Sequence, residues 1–448
     1  MKKIKLLFFL ALFSLLPAIL YCQYVIPVGS YPCALVYNAT NAKLYCANFG
    51  DNTVSVINVN TNQVIATIRT GTGPVALVYN STSNKVYCAN QQSNDVSIIN
   101  GAINEVINTV TVGSYPSKLL FNPATNKIYC SNSSSNTISV IDGVNDNVIA
   151  TVNVGGYPTA LTYNSANNKI YCANTDDESV SIIDGVANQV IATVPVGRTP
   201  NSLAYNPDNN EVYCASWSNG RIHMIDGATN QKVDSIIYGN SGPQSLIFAY
   251  NNRMCYVNFT GDNIKMISGT SDTIIASCQF PVGTRPYALS STFWADDFVY
   301  CANIGSNNIN AFNTYWNNFN TMWTINGINY PITIHNYGHG VYVTNLWSST
   351  VTEVIHYAIE EQYSSKNGLI PLTIYPNPAK SYFTIQIPSD EKQSSLKIFD
   401  LSGKLVRIEE LKKPADKEHR VSTYRMDPGI YFVQLDNQSS TTKLIITK

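Results

Sequence analysis

The stretch KLYCANFGDNTVSVIN at Lys43–Asn58 returns as KVYCANQQSNDVSIIN at Lys85–Asn100, then as KIYCSNSSSNTISVID and KIYCANTDDESVSIID. Its marker tyrosines are Tyr45, Tyr87, Tyr129, Tyr171, Tyr213, Tyr256, Tyr300 and Tyr342, spaced by 42 to 44 residues. A second marker keeps the same count: Pro32, Pro74, Pro116, Pro158, Pro200, Pro243, Pro286 and Pro331. A unit of this size cannot bury its apolar face alone, so the chain must stack its units against one another.

Each unit reads as four short β segments separated by turn residues. In the third they are SKLLFN, KIYCSN, TISVID and VIATVNVG, termed strands a to d, with PATN, SSSN and GVND between them. Pro, Asn, Ser, Gly and Asp favour tight turns. Four strands in about forty residues is the arithmetic of a β-propeller blade. Strands held between two neighbouring blades are apolar on both faces, which fits VYCAN and VSVI better than strict alternation does. The array also begins and ends out of phase. YVIPVG at Tyr24–Gly29 matches the end of strand d, TVPVG at Thr193–Gly197, whereas the eighth unit lacks a good fourth strand. An orphan strand at the front and a missing one at the back are what ring closure requires, and closure removes exposed edges. The sequence therefore predicts an all-β fold: an eight-bladed propeller, with seven blades as the alternative, closed by Tyr24–Val28.

Tyr342-Val343-Thr344-Asn345 reads YVTN, and other units carry YCAN, YCSN, YCAS and YVNF beside VG…P and VSVID…VIATV. Over about Gln23–Glu361 this resembles the YVTN family of β-propeller repeats of surface-layer and secreted proteins. The resemblance implies a fold, and leaves function open because propellers host many unrelated activities.

Export is expected from the N-terminus. Lys2, Lys3 and Lys5 precede the apolar run Leu6–Leu20, an n-region followed by an h-region, with cleavage expected near Cys22–Gln23. Residues 1–22 are read as a signal peptide, and no membrane-spanning helix is expected in the mature chain. Ten cysteines in an exported chain would ordinarily suggest disulfides. Here Cys46, Cys88, Cys130, Cys172, Cys214 and Cys301 all follow the repeat tyrosine, so they share one slot and are expected to stay free. A net charge of −1 suggests no nucleic-acid partner.

Composition changes after Glu361: 13 of the 28 Lys and Arg lie from Ser364 onward. Residues 362–371 read as a linker and 372–448 as a small Ig-like β-sandwich of six or seven short strands. The tail carries Tyr375-Pro376-Asn377-Pro378, LKIFD at Leu396–Asp400, LSGK with Gly403, PGIYFV with Gly429 and Tyr431, and the terminal Lys448. In this order the motifs resemble the C-terminal sorting domain of the type IX (Por) secretion system of the Bacteroidetes. The resemblance implies that the secretion machinery is a partner and that the chain reaches the outer cell surface.

Chemistry is sparse. No nucleophile elbow, phosphate loop or haem-attachment motif occurs. His335 and His339 read as loop histidines, and His223, which replaces the serine of Ser55, Ser97, Ser139 and Ser181, reads as solvent-facing, with a blade interface or the channel as the alternative. Asp176, Asp177 and Glu178 are weak candidates for calcium, the one cofactor considered, and a solvated turn is favoured. Function is best sought where the repeat is broken. Among the b–c and d–a turns of one face, Phe49, Trp217, Phe259 and Trp347 intrude beside Arg198, Arg221 and Arg285. Exposed aromatics interleaved with Arg anchor ligands. The leading expectation is a non-catalytic propeller binding an extracellular glycan, peptide or protein. One alternative is a hydrolase or lyase with a metal in the central channel, for which strand a offers no recurrent acid. The other is a structural surface-layer component.

Overall fold

The computed structural model describes residues 21–237, 242–249, 254–291, 298–313, 319, 322–337 and 340–356, and in the tail 373–375, 381–386, 395–400, 405–410, 418–424, 426, 429–435 and 441–446. The expected signal sequence and linker lie outside these, apart from Tyr21 and Cys22. Chain packing separates a unit of Ala18–Tyr357 from one that takes in Ala358–Lys448.

In the first unit the described residues form eight four-stranded antiparallel sheets. The first sheet pairs Pro32–Asn38, Lys43–Asn48, Thr53–Asn58 and Gln63–Arg69 in sequence order. Strands b and c are buried almost throughout, since each lies between two neighbouring sheets, whereas the outer strand Gln63–Arg69 alternates with solvent. Each inner strand touches the next, from Pro32–Asn38 through Pro74–Asn80 to Pro331–Tyr337, which touches Pro32–Asn38 again. The core is accordingly divided among the seams: Tyr45, Val54, Val56 and Ile68 of the first sheet meet Val86, Cys88 and Ile99 of the second. The last sheet runs Tyr21–Pro27, Thr350–His356, Gly340–Asn345, Pro331–Tyr337, with Tyr24 opposite Glu353 and Ile26 opposite Val351. The closing strand thus starts three residues before the expected Tyr24 and crosses the expected cleavage point.

The repeated letters have separable jobs. The Asn that ends strand b is buried, and Asn48 Nδ2 donates to Thr53 Oγ1 at 3.0 Å and Ser55 Oγ at 2.9 Å, fastening strand c to strand b. Asn132 and Asn174 repeat this with Ser139 and Ser181. The thiol before it donates back to the same amide, as Cys88 Sγ does to Asn90 Oδ1 at 3.5 Å. Glycine ends the preceding VG because a Cβ at Gly29 would sit 2.7 Å from the Asn48 amide.

The tyrosine reaches forward. Tyr87 Oη donates to Asp146 Oδ1 at 2.8 Å, and Tyr129 Oη to Asn188 Oδ1 at 3.1 Å, each on the c–d turn of the next sheet. The lysine two residues earlier reaches the same turns: Lys127 Nζ donates to Gly185 O, Val186 O and Asn188 Oδ1 at 2.9–3.0 Å. Asn38–Asn84, Asn80–Asn126, Asn122–Asn168 and Asn164–Asn210 amide pairs at 2.7–2.8 Å complete the stitching. The six repeat cysteines are free, as are Cys33, Cys255 and Cys278. Desolvation raises the thiol pKa of the six repeat members, which keeps them protonated and unreactive.

The tail has two sheets, Thr373–Tyr375, Tyr382–Gln386, Glu418–Ser422 and Leu405–Glu410, Ser395–Asp400, Gly429–Leu435, Thr441–Ile446. Phe383, Ile385 and Val421 of one join Leu396, Ile398, Val433 and Leu444 of the other in a single apolar core. Among the described residues no helix is long and apolar enough to cross a membrane.

Candidate functional site

The register places the d–a and b–c turns on the same face of the ring, since strand a begins opposite the end of strand b, as Pro32 lies opposite Asn48. The residue before the marker proline has a left-handed backbone in seven of the eight units: Tyr31, Gly73, Tyr115, Tyr157, Thr199, Arg285 and Tyr330, with φ between 49° and 69°. Glycine adopts this conformation at no steric cost, whereas a bulky residue is strained by about 1–3 kcal/mol. Hydrogen bonds from both sides hold it. Tyr157 N donates to Asn136 Oδ1 at 3.0 Å, and Tyr157 O accepts from Thr175 N at 3.1 Å.

Four of these strained positions are tyrosines, and two of them flank Trp347. The rings of Tyr31 and Tyr330 each lie 5.6 Å from the Trp347 ring in edge-on contact, while Trp347 itself is 57% exposed. Tyr115, Tyr157 and Tyr287 are exposed as well. Reading the b–c turns and the arginines missed these tyrosines. The signal was present in YP, but Tyr before Pro reads as turn filler unless its position in the repeat is compared with Gly73.

The other expected residues divide. Trp217 is exposed and Phe49 half-buried against Gly73. Phe259 is not on the face: it is fully buried, with Lys265 Nζ 5.8 Å over its ring, because it ends strand b where other units place the buried Asn. Arg285 is exposed at a left-handed position, and Arg221 begins strand c half-buried. Arg198 lies 3.6 Å from Glu178 with both side chains in solvent, an ion pair of little energetic weight. Asp176 and Asp177 are exposed, and no group of three or more His, Cys, Asp or Glu among the described residues is gathered to hold a metal ion.

Two histidine expectations are corrected. His223 is 3% exposed, because strand c is buried on both faces and offers no solvent side. Its neighbourhood departs from the repeat as well: Ser216 stands where six of the eight units end strand b in Asn, and Cys214 lies opposite His223 in the register. His335 lies on the inner strand Pro331–Tyr337 instead of in a loop. Desolvation pushes both imidazoles down to about 4, so they are neutral at pH 7. His339 lies outside the described residues.

In the tail, Tyr431 is buried in the core and Gly429 begins its strand. Tyr375 ends the strand Thr373–Tyr375, while Pro376, Asn377, Pro378, Gly403 and Lys448 lie outside the described residues.

Residues 5–191 match the family model described as a YNCE-like beta-propeller, and residues 373–448 match the secretion system C-terminal sorting domain. The chain is a β-propeller protein with a sorting tail. That tail marks it for type IX secretion and the outer cell surface. The propeller model differs in name from the YVTN family that the motifs resemble and agrees with it in fold. No curated protein matches the chain. Among solved structures, Kuenenia stuttgartiensis hydrazine synthase is similar at 15% identity with a TM-score of 0.52, covering 74% of this chain and 96% of that one. At that identity the likeness speaks to fold alone. With 1626 solved chains matching, fold selects no activity.

Proposed function

We propose that the propeller is a non-catalytic binding module delivered to the cell surface, and that it takes a glycan on the face built by the d–a and b–c turns. One observation carries the reading: an exposed Trp347 held edge-on between Tyr31 and Tyr330, both in strained left-handed positions. Strain of this kind persists where the surroundings over-determine it, and it gathers at ligand sites. A rigid indole presents an apolar face to the C–H side of a sugar ring, while neighbouring Tyr hydroxyls and Asn amides suit its hydroxyls. Strained backbone also means little ordering entropy is left to lose on binding.

The test is a glycan screen with the full chain, followed by Trp347→Ala. Because Trp347 is largely exposed, the variant should keep its melting temperature and lose about tenfold or more in affinity for any glycan found. Undiminished binding by Trp347→Ala removes the face from the proposal. Stoichiometric metal with hydrolytic turnover would replace it with the enzyme alternative.

A further inference from the structure

The eight inner strands read PCALVYN, PVALVYN, PSKLLFN, PTALTYN, PNSLAYN, PQSLIFA, PYALSS and PITIHNY. Their third residue is Ala, Ser or Thr in every sheet except the third, which has Lys118. Lys118 is the one lysine, arginine or carboxylate on these strands. Its inner strand has the inner strands Pro74–Asn80 and Pro158–Asn164 on its two sides, yet Lys118 is exposed. Solvent can reach it there from the central opening of the ring.

The neighbouring polar groups are already engaged with the protein. At the second position of the strand a side chain reaches the proline carbonyl of the next sheet: Cys33 Sγ to Pro74 O at 3.2 Å, Ser117 Oγ to Pro158 O at 3.4 Å, Thr159 Oγ1 to Pro200 O at 3.2 Å. Lys118 has no such partner; among the described residues it makes no hydrogen bond or ion pair. The ring nonetheless desolvates it, lowering its pKa below the usual lysine range, with Cys33 acting against this. Exposure combined with desolvation describes a cation in a narrow, protein-walled opening. Such an ammonium lacks the counter-charge that would offset its lost hydration.

We propose that the central opening is a binding site for a carboxylate-bearing ligand, with Lys118 Nζ as its anchor. The other seven strands carry only Ala, Ser or Thr at this position, all smaller than lysine and uncharged, so Lys118 alone sets the charge of the inner strands. As the one Lys or Arg on the inner strands, a single ammonium balances a monoanion, which favours carboxylate over a doubly charged phosphate. This site is separate from the aromatic face and stands or falls without it.

The test uses the full chain with its lysines reductively methylated with 13C-formaldehyde, followed by NMR. Lys118→Ala identifies the Lys118 resonance by its loss. That variant restores the residue of four other strands, so it should fold. Acetate and glucuronate should each shift the resonance saturably, and glucose should not. In unlabelled protein, Lys118→Ala should weaken glucuronate binding by about tenfold or more, whereas Lys118→Arg should largely retain it. Trp347→Ala should leave the Lys118 shift unchanged, which separates this site from the aromatic face. No shift with either carboxylate, an equal shift with glucose, or tighter binding of inorganic phosphate would overturn the proposal.

Discussion

Glu211 occupies the position that Lys43, Lys85, Lys127 and Lys169 hold in the first four sheets. Those lysines reach the next c–d turn, and Lys85 Nζ lies 2.7 Å from Asp146 Oδ2 there. The corresponding turn residue ahead of Glu211 is Asp272, so two carboxylates meet where a cation belongs. Burial, and then Asp272, push the Glu211 carboxyl up from 4.5 to about 7. Between those values the folded state holds more protons than the unfolded chain, so stability falls as pH rises through this window. Glu211→Lys should remove that loss and restore the ion pair. Its gain over the parent should widen from pH 4.5 to 7 and then level off, at on the order of 1–3 kcal/mol. Melting temperatures of both proteins across that range check it, and an equal gain at every pH would show that charge is not the cause. The lysine and tyrosine were visible as repeat letters, but their partners were not. Tyr87 and Asp146 are 59 residues apart, a spacing that crosses a whole unit and leaves no local pattern. His223 was misplaced for a related reason, since a strand buried on both faces has no alternation from which to read a solvent side.

The four-strand unit was legible because its turn residues and apolar runs agree with one another, and the unpaired strand at the front was legible because it repeats strand d. What each strand contributes depends on its place. In the closing strand Tyr21–Pro27, Ile26 is buried against the seam of Leu35, Leu44 and Tyr342, whereas Val25 is largely exposed. Ile26→Ala should therefore cost about 2–5 kcal/mol and Val25→Ala no more than about 0.5. Deleting Gln23–Gly29 should lower the melting temperature further and promote self-association, because Thr350–His356 becomes an unpaired edge. Thermal unfolding and sedimentation of the three variants test this. Equal cost at the two single sites, or an unchanged deletion variant, would mean that the ring holds without its closing strand. The aromatic face was half legible: tryptophans in turns stand out, but a tyrosine's left-handed backbone appears only when the structure sets it beside Gly73. Lys118 went unread as a single departure within a seven-residue strand.

Repeat and tail solve different problems in one chain. The propeller's stability is spread over its seams, each sheet held by its neighbours, whereas the tail has its own apolar core drawn from two sheets. A segment with its own core should fold and act behind an unrelated passenger. Residues 372–448, fused behind a reporter that carries a signal peptide, should bring the reporter to the cell surface of a host with the type IX system. A finer cut shows what the machinery reads. Removing 429–448 takes away Gly429–Leu435 and Thr441–Ile446, and leaves Ser395–Asp400 without its central partner. That truncation should unfold the tail as well as shorten it. Tyr431→Ala tests the same dependence with the terminus intact, since Tyr431 is buried in the core. If the machinery reads a folded domain, Tyr431→Ala should reduce surface delivery along with the tail's melting temperature. If it reads the terminal residues alone, delivery should survive the loss of fold. Cell fractionation, read beside glycan binding by the tail-less propeller, separates these outcomes. Loss of ligand binding on removing 372–448, with export intact, would mean that the tail belongs to the binding function and not to sorting.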